Sequence, residues 1–500
     1  MDEIMKIKKI LVANRGEIAL RVLKTAKEMG IKVVTVFAED DKNLPHALFA
    51  DESYSLGFGT LQDTYLNKKK LIEVATKAKV DAIHPGYGFL SENAEFSSMV
   101  ENAGIIFIGP TAESIILMGD KIGSKKALEK LTIPMIPGYH GDNQDPDHLI
   151  KEAKKIGFPV LIKASAGGGG KGMRIVHEEG ELSEAISGAK SEALKAFSND
   201  NVLIEKYVVN PRHIEVQLMS DTHGNHLHFF ERECSIQRRY QKIVEETPAP
   251  NLTEDLRLKI CETAVQISSG INYRGAGTVE FILAPDGKFY FLEMNTRLQV
   301  EHPVTEMVTG HDLVKYQILV AEGEKLPLRQ SDIKQNGQAI ECRIYAEDPD
   351  LNFMPTIGKI DRIGIPTLRD VRLDCGFLDG TEVGVNYDPM LAKLVVWGPT
   401  REIAISKSLH SLDEVLFLGV KTNRDYLKRI LSHDKFIKGF THTHFIPDHK
   451  EELLPRALSD EDMANFVAAL GFSEGRKTQK FSSGEAFLKT PWTELSGFRN

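Results

Sequence analysis

Two apolar runs separated by a short break, Thr278-Val-Glu-Phe-Ile282 and Phe289-Tyr-Phe-Leu292, constrain this chain more than any other feature. Both have the β-branched and aromatic content of strands, and Pro285-Asp-Gly-Lys288 lies between them. Asp286-Gly287 suits a two-residue hairpin loop, which would set Glu280 opposite Glu293. Like charges directly across a strand pair repel, so a positive group is expected between them. The second run continues into Glu293, Asn295, Arg297, Gln299 and Glu301 at every second position. In an extended strand those residues share one face. That face would offer two carboxylates, two amides and a guanidinium to a common site. Such carboxylates, with Asn295 beside them, suit one or two Mg²⁺ ions, which take few protein oxygens and complete their shells with phosphate and water. The competing reading is the solvated outer face of an ordinary hairpin.

The chain has 500 residues, enough for roughly three domains. A net charge of −9 argues against a general nucleic-acid or membrane-surface binder. The four cysteines, Cys234, Cys261, Cys342 and Cys375, are widely spaced without metal-ligand patterns and are expected to be reduced thiols. Met1-Asp-Glu-Ile-Met-Lys6 lacks an apolar signal core, and no apolar run is long enough to span a bilayer. A cytoplasmic protein is the expectation.

Ile10–Ala13, a helix from Asn14-Arg-Gly-Glu17 to Met29, and Val33–Phe37 form a βαβ unit of the parallel, doubly wound type. Dinucleotide binding is poorly supported, because only Gly16 stands where three glycines would be needed. A helix over 68–79 and a strand over 81–84 lead to the turn-rich Pro85-Gly-Tyr-Gly-Phe-Leu-Ser-Glu-Asn93, either a plain strand-end turn or a wall of a cleft. The strand Phe158–Lys163 runs into Ala164-Ser-Ala-Gly-Gly-Gly-Gly-Lys-Gly172. Four glycines allow backbone N–H groups to approach an anion closely, with Lys163 and Lys171 adding charge, though the spacing is not that of a Walker A loop. A flexible linker is the alternative. The strand Val202–Tyr207 ends in the charged pair Glu205-Lys206, which could read adenine through its backbone. Arg238, Arg239 and Lys242 read as an anion site or as a solvated basic face.

In this order the features resemble the ATP-grasp superfamily and, within it, biotin carboxylase. The resemblance covers residues 7–444 and rests on Asn14-Arg-Gly-Glu-Ile-Ala19, His84-Pro-Gly-Tyr-Gly-Phe-Leu-Ser-Glu-Asn93, Met118-Gly-Asp-Lys121, Lys163 with its glycine loop, Arg274-Gly-Ala-Gly-Thr278 and Glu293-Met-Asn-Thr-Arg-Leu-Gln-Val-Glu-His-Pro303. It implies a multidomain α/β and α+β protein: a Rossmann-like domain over 1–118, an ATP-grasp domain over 119–334 with a mobile lid at about 136–208, a β-rich C-terminal domain over 335–447, and a tail over 448–500 leading toward a carrier region. ATP contacts are implied at Lys121, Lys163, Gly169, Gly170, Glu205, Lys206, His213 and Gln237. Ligands of Mg²⁺ or Mn²⁺ are implied at Glu280, Glu293 and Asn295. The bicarbonate pocket would comprise Lys242, Arg297, Gln299 and Val300, with Glu301 as the base and Arg343 stabilising the enolate of biotin. Tyr240 stands where a histidine is usual; a tyrosine keeps a hydrogen-bonding tip without becoming cationic near neutral pH.

The implied reaction passes through carboxyphosphate and carboxylates biotin on a carrier protein, as the first half-reaction of an acyl-CoA carboxylase or of a two-subunit pyruvate carboxylase. No Ala-Met-Lys-Met motif occurs, so biotin is expected as a carrier-bound substrate on another polypeptide or beyond residues 1–500. A biotin carboxyl carrier protein, a carboxyltransferase subunit and a second copy of the chain in a homodimer are the implied partners. A different ATP-grasp ligase and a non-catalytic scaffold are the rival classes; Arg297-Leu-Gln-Val-Glu301 with Arg343 speaks against the first, and the filled catalytic positions against the second.

Overall fold

The structure is a computed structural model, and it describes residues 6–165, 173–197, 199–455, 463–465 and 467–468. Its first layer is a five-stranded parallel sheet ordered Glu52–Ser55, Lys32–Phe37, Lys9–Val12, Ala82–His84, Ile106–Phe107. Strands covered on both faces should be continuously apolar, and Ile10, Leu11, Val12, Val33, Val34 and Val36 are all buried. The helix Gly16–Glu28 buries Ile18, Ala19, Val22, Leu23 and Ala26, the 3.6-residue stripe its sequence announces. Strand order reverses between Lys9–Val12 and Ala82–His84, the place where such sheets open a crevice. There Asn14 Nδ2 donates to the carbonyls of Pro85 (2.7 Å) and Tyr87 (2.8 Å), so the glycine-rich loop is pinned as one wall.

The backbone of the site is an eight-stranded antiparallel sheet ordered Phe289–Asn295, Gly275–Leu283, Arg212–Ser220, His226–Arg238, Gln241–Thr247, Gln338–Tyr345, Met390–Gly398, Val371–Cys375. Because Gln241–Thr247 pairs with Gln338–Tyr345, one sheet joins strands from both sides of the domain boundary expected at 334/335. A four-stranded antiparallel sheet (Gly138–Tyr139, Val202–Lys206, Val160–Ala164, Arg174–Val176) packs with the helices Pro146–Ile156 and Leu182–Phe197 around its own core of Leu149, Val160, Ile162, Ile186 and Ile204. Leu454–Asn500 forms a separate unit, in which the described residues 463–465 and 467–468 are helical; Ser459-Asp-Glu-Asp462, whose pattern suits a helix start, lies outside the described residues. Among the described residues no helix is long and apolar enough to cross a membrane.

The central hairpin departs from its expected form in a way that cancels. Ala284 N–H donates to Lys288 (2.8 Å) and Gly287 N–H to Ala284 (2.9 Å), so the loop has three residues, with Gly287 at φ +82. This is the type I turn plus left-handed residue that three-residue hairpins favour. It shifts the register by one, to Phe281 opposite Phe291. A β-bulge before Glu280 shifts it back, and Glu280 faces Glu293 after all. The polar alternation beyond Asn295 is not a strand: Phe289–Asn295 ends there, Thr296 N–H turns to the Glu92 carboxylate (3.0 Å), and a helix, His302–Thr309, begins with Pro303 in its first turn.

Beneath the sheet the Arg232 guanidinium is 0% exposed and acts as a staple. It donates to Glu215 (2.6 Å), Gln217 (2.8 Å) and Thr305 (3.0 Å), tying two strands to the helix His302–Thr309. Removing one partner of a buried ion pair leaves an uncompensated charge. Arg232→Met is therefore expected to cost about 3–5 kcal/mol of stability, read from the denaturant midpoint; a loss below about 1 kcal/mol would mean that Glu215 is held by its other partner alone.

Candidate active site

Four strands and one helix start deliver a charge cluster at the middle of the large sheet. Lys242, from Gln241–Thr247, directs its ammonium to Glu280 (2.9 Å), Glu301 (2.6 Å), Gln299 (3.1 Å) and Glu215. Glu301 stands at the N-cap position of the helix His302–Thr309 without bonding to its backbone through the side chain, and its second oxygen accepts from Arg343 at 2.9 Å. Arg343 also holds Glu245, on the neighbouring strand, at 2.6 Å. Burial alone would strip the proton from Lys242, but Glu215, Glu280 and Glu301 outweigh it and hold the ammonium well above the usual lysine range. Burial likewise pushes the Glu301 carboxyl up, and Lys242, Arg343 and Arg232 together pull it well below the usual carboxylate range. Lysine and carboxylate thus keep each other ionised where neither would stay charged by itself.

A cavity of about 220 Å³ opens on one side of this cluster. Its lining combines Lys121, Lys163, Glu205, His213, Gln237, Glu280 and Glu293 with Ile136, Leu161, Ile175, Ile282 and Leu292. A slot that offers both apolar walls and lysines fits a flat base joined to phosphates. Burial pushes Glu205 up, yet Lys163 (2.6 Å) and Lys125 bring it down to about 2. His213 Nε2 stands 3.0 Å from Glu280, which raises the imidazole against its burial. Lys242 and His213 hold Glu280 well below normal, whereas burial and the facing Glu280 raise Glu293. A carboxylate pushed up by its like-charged neighbour fits a divalent cation between the two. Asn295 turns its amide nitrogen to Glu280 (2.9 Å) and its oxygen to Arg297 (3.1 Å), beside the carboxylate pair.

On the other side lies a cavity of about 350 Å³ lined by Arg15, Tyr87, Arg297, Val300, Arg343, Phe377 and Tyr387. Asp388 and Met390 also line it. Lys242 bonds to Glu280 of the first lining and to Glu301, which bonds to Arg343 of the second, so the pair links the walls of the two cavities. Arg297 is braced by Glu92 at 2.7 Å.

The basic series 238–242 is not one site. Arg238 pairs with Glu347 (2.6 Å) over the Phe353 ring, Arg239 faces solvent, and only Lys242 enters the cluster. Strand pleating sends alternate residues to opposite faces, and Arg239-Tyr240 form the turn itself, both at positive φ. Lys206 lines the nucleotide-shaped cavity, but its ammonium donates to the carbonyls of Gly157 (3.1 Å) and Phe158 (2.6 Å). Gly169 and Gly170 lie outside the described residues. Sequence reasoning missed Glu215, Glu245, Lys125 and Arg232. The signal for Glu215 was present in Ile214-Glu-Val-Gln-Leu218, where the alternation resembles a half-solvated strand although both faces are buried.

Residues 6–115 match the family model described as the biotin carboxylase N-terminal domain, 120–329 that of the carbamoyl-phosphate synthase L chain ATP-binding domain, and 341–448 that of the biotin carboxylase C-terminal domain. The mitochondrial methylcrotonoyl-CoA carboxylase subunit alpha of Dictyostelium discoideum is 50% identical over 500 residues, 99% of this chain and 71% of that relative. The biotin carboxylase of Haemophilus influenzae is 49% identical over 441 residues, 88% of this chain and 98% of its own length. Among solved structures, the biotin carboxylase domain dimer of Hydrogenobacter thermophilus 2-oxoglutarate carboxylase, in complex with MgADP, ADP and bicarbonate, superposes with a TM-score of 0.87 at 45% identity, covering 91% of this chain and all of that one. With an ionised Glu301–Lys242–Arg343 cluster linking the walls of a nucleotide-shaped slot and a second cavity, and with near-complete alignment to these proteins, the chain belongs to the biotin carboxylase family of ATP-grasp enzymes.

Proposed function

We propose that this chain uses ATP and bicarbonate to carboxylate biotin presented by a carrier protein, in the first half-reaction of an acyl-CoA carboxylase. The observation that carries this reading is the Glu301 carboxylate shared between Lys242 (2.6 Å) and Arg343 (2.9 Å). ATP would occupy the smaller cavity with its base along Ile136, Leu161 and Ile282 and its phosphates toward Lys121 and Lys163. Mg²⁺ or Mn²⁺ between Glu280 and Glu293 would neutralise the charge that builds on the transferred phosphoryl group. Bicarbonate would sit beside Lys242, Arg297 and Gln299, with Glu301 receiving its proton. In the free protein Glu301 is a weak base because two cations grip it. An anion drawn to the same cations loosens that grip, so the carboxylate becomes a better base only when substrate is present. Proton removal makes the bicarbonate oxygen nucleophilic toward the γ-phosphate, giving carboxyphosphate as ADP leaves. Arg343, which also borders the larger cavity, would then steady the enolate of biotin while its ureido nitrogen, having lost its proton, takes the carboxyl group from carboxyphosphate and phosphate leaves.

The alignment with the methylcrotonoyl-type subunit extends over 99% of this chain, whereas that with the biotin carboxylase covers 88%. That difference favours a methylcrotonoyl-type acceptor and a carboxyltransferase partner. All four cysteines are free thiols, which suits a reducing setting. A homodimer is part of the same reading.

ADP release by the purified chain should depend on bicarbonate and rise with free biotin. Hydrolysis indifferent to both would point to another ligase, and no hydrolysis to a scaffold. Glu301→Gln is expected to lower kcat by about 10²–10⁴-fold while the KM for ATP stays put. The pH profile supplies a second test. A base with a depressed pKa is ionised above that value, and activity falls as the pH drops through it, so the acid limb of kcat/KM should lie below the usual glutamate range. Arg343→Met removes one of the two cations, and its acid limb should move up by about 1–3 units; an unmoved limb would remove Glu301 from the role of base.

A further inference from the structure

The segment 296–301 has no strand partner, so its shape depends on a few anchors. His302 Nδ1 donates to the Gln299 carbonyl at 2.7 Å, and Lys393 Nζ donates to the Val300 carbonyl at 2.9 Å. Fixing a carbonyl fixes its whole planar peptide unit. The first bond orients the Gln299–Val300 unit, which carries the Val300 N–H; the second orients the Val300–Glu301 unit, from which the Glu301 side chain departs. Val300 thus stands between two anchored planes on the wall of the larger cavity.

Lys393 is an expensive anchor. It is 0% exposed, in a strand whose neighbours Leu394, Val395 and Val396 are core residues. A buried ammonium costs several kcal/mol unless it is well paired. Its ammonium lies 3.1 Å from Glu17, at the start of the helix Gly16–Glu28, and 4.0 Å from Asp374. One cation therefore joins the parallel sheet's first helix, the large sheet and the loop that bears Glu301. A counter-charge for Glu17 alone would not need to reach the Val300 carbonyl.

We propose that Lys393 is a positioning residue for bicarbonate: together with His302 it locks the peptide planes on either side of Val300, so that the Val300 N–H and the Glu301 carboxylate face the same anion. This rests on the reading of Gln299–Glu301 as the bicarbonate loop. The test is steady-state ATP hydrolysis with bicarbonate and free biotin in the wild type, Lys393→Met, Glu17→Gln and the double variant Glu17→Gln/Lys393→Met, which removes the ammonium without stranding its partner carboxylate. Expected are a folded double variant and a KM for bicarbonate raised by about 10- to 100-fold in both Lys393 variants, with the KM for ATP within about twofold of wild type. An equal rise in Glu17→Gln alone would overturn the proposal, because that variant keeps the Lys393–Val300 contact. So would an unchanged bicarbonate KM in the folded double variant, or a double variant that cannot fold, since Lys393 would then serve stability. Wild-type hydrolysis that ignores bicarbonate would instead overturn the underlying site reading.

Discussion

A single buried ammonium sets the terms for the rest of this molecule. Lys242 touches carboxylates from the strands Arg212–Ser220 and Gly275–Leu283 and from the start of the helix His302–Thr309. At an effective dielectric constant near 20, each unit-charge contact at about 4 Å contributes roughly 4 kcal/mol, comparable to the penalty for taking the ion out of water. One contact would barely hold the proton; three hold it firmly. Burial outweighs that arithmetic at two carboxylates of the site: Glu245, beside Glu301, is pushed up to about 7, and Glu293, facing Glu280, is pushed up although Lys121 and Lys163 oppose it. A divalent ion between Glu280 and Glu293 would relieve the second.

The fold exists to bring those charges together without letting them relax. Rigid strands fix Glu215, Lys242, Glu245, Glu280 and Arg343 through backbone ladders, and Arg232 locks the sheet to the helix below. Glu301 is the exception, carried on a loop. Its freedom is removed by contacts from three directions: Glu92 on Thr296 and Arg297, the His302 ring on Gln299, and Lys393 on Val300. Chemistry that depends on a base whose strength changes with the bound anion needs this mixture of a stiff frame and one tunable pairing.

Much of this was legible in the sequence, for reasons that differ residue by residue. Apolar periodicity located the βαβ start and the hairpin strands Gly275–Leu283 and Phe289–Asn295, but not His226–Arg238 and Gln241–Thr247, whose charged residues read as a basic series. The facing of Glu280 and Glu293 was foreseen through an assumption that failed. The loop is one residue longer than expected and a bulge restores the register; neither shift leaves a mark in alternation alone. The alternation from Glu293 to Glu301 marked the right residues but the wrong geometry, because side chains can converge from a loop and a helix cap as well as from a strand face. Glu215 and Glu245 stayed hidden because a polar alternate residue normally faces water, and only the packing of a helix over that face makes it interior. Arg238 and Lys242, four positions apart, diverged because a two-residue turn lies between them.

The most direct measurement is a double-mutant cycle on Lys242→Met and Glu280→Gln, read as free energies of unfolding. If the ammonium and the carboxylates form one shared charge cluster, the two changes should be coupled by about 1–3 kcal/mol. Additivity to within about 0.5 kcal/mol would contradict the account, because Lys242 and Glu280 would then be neighbours that do not depend on each other.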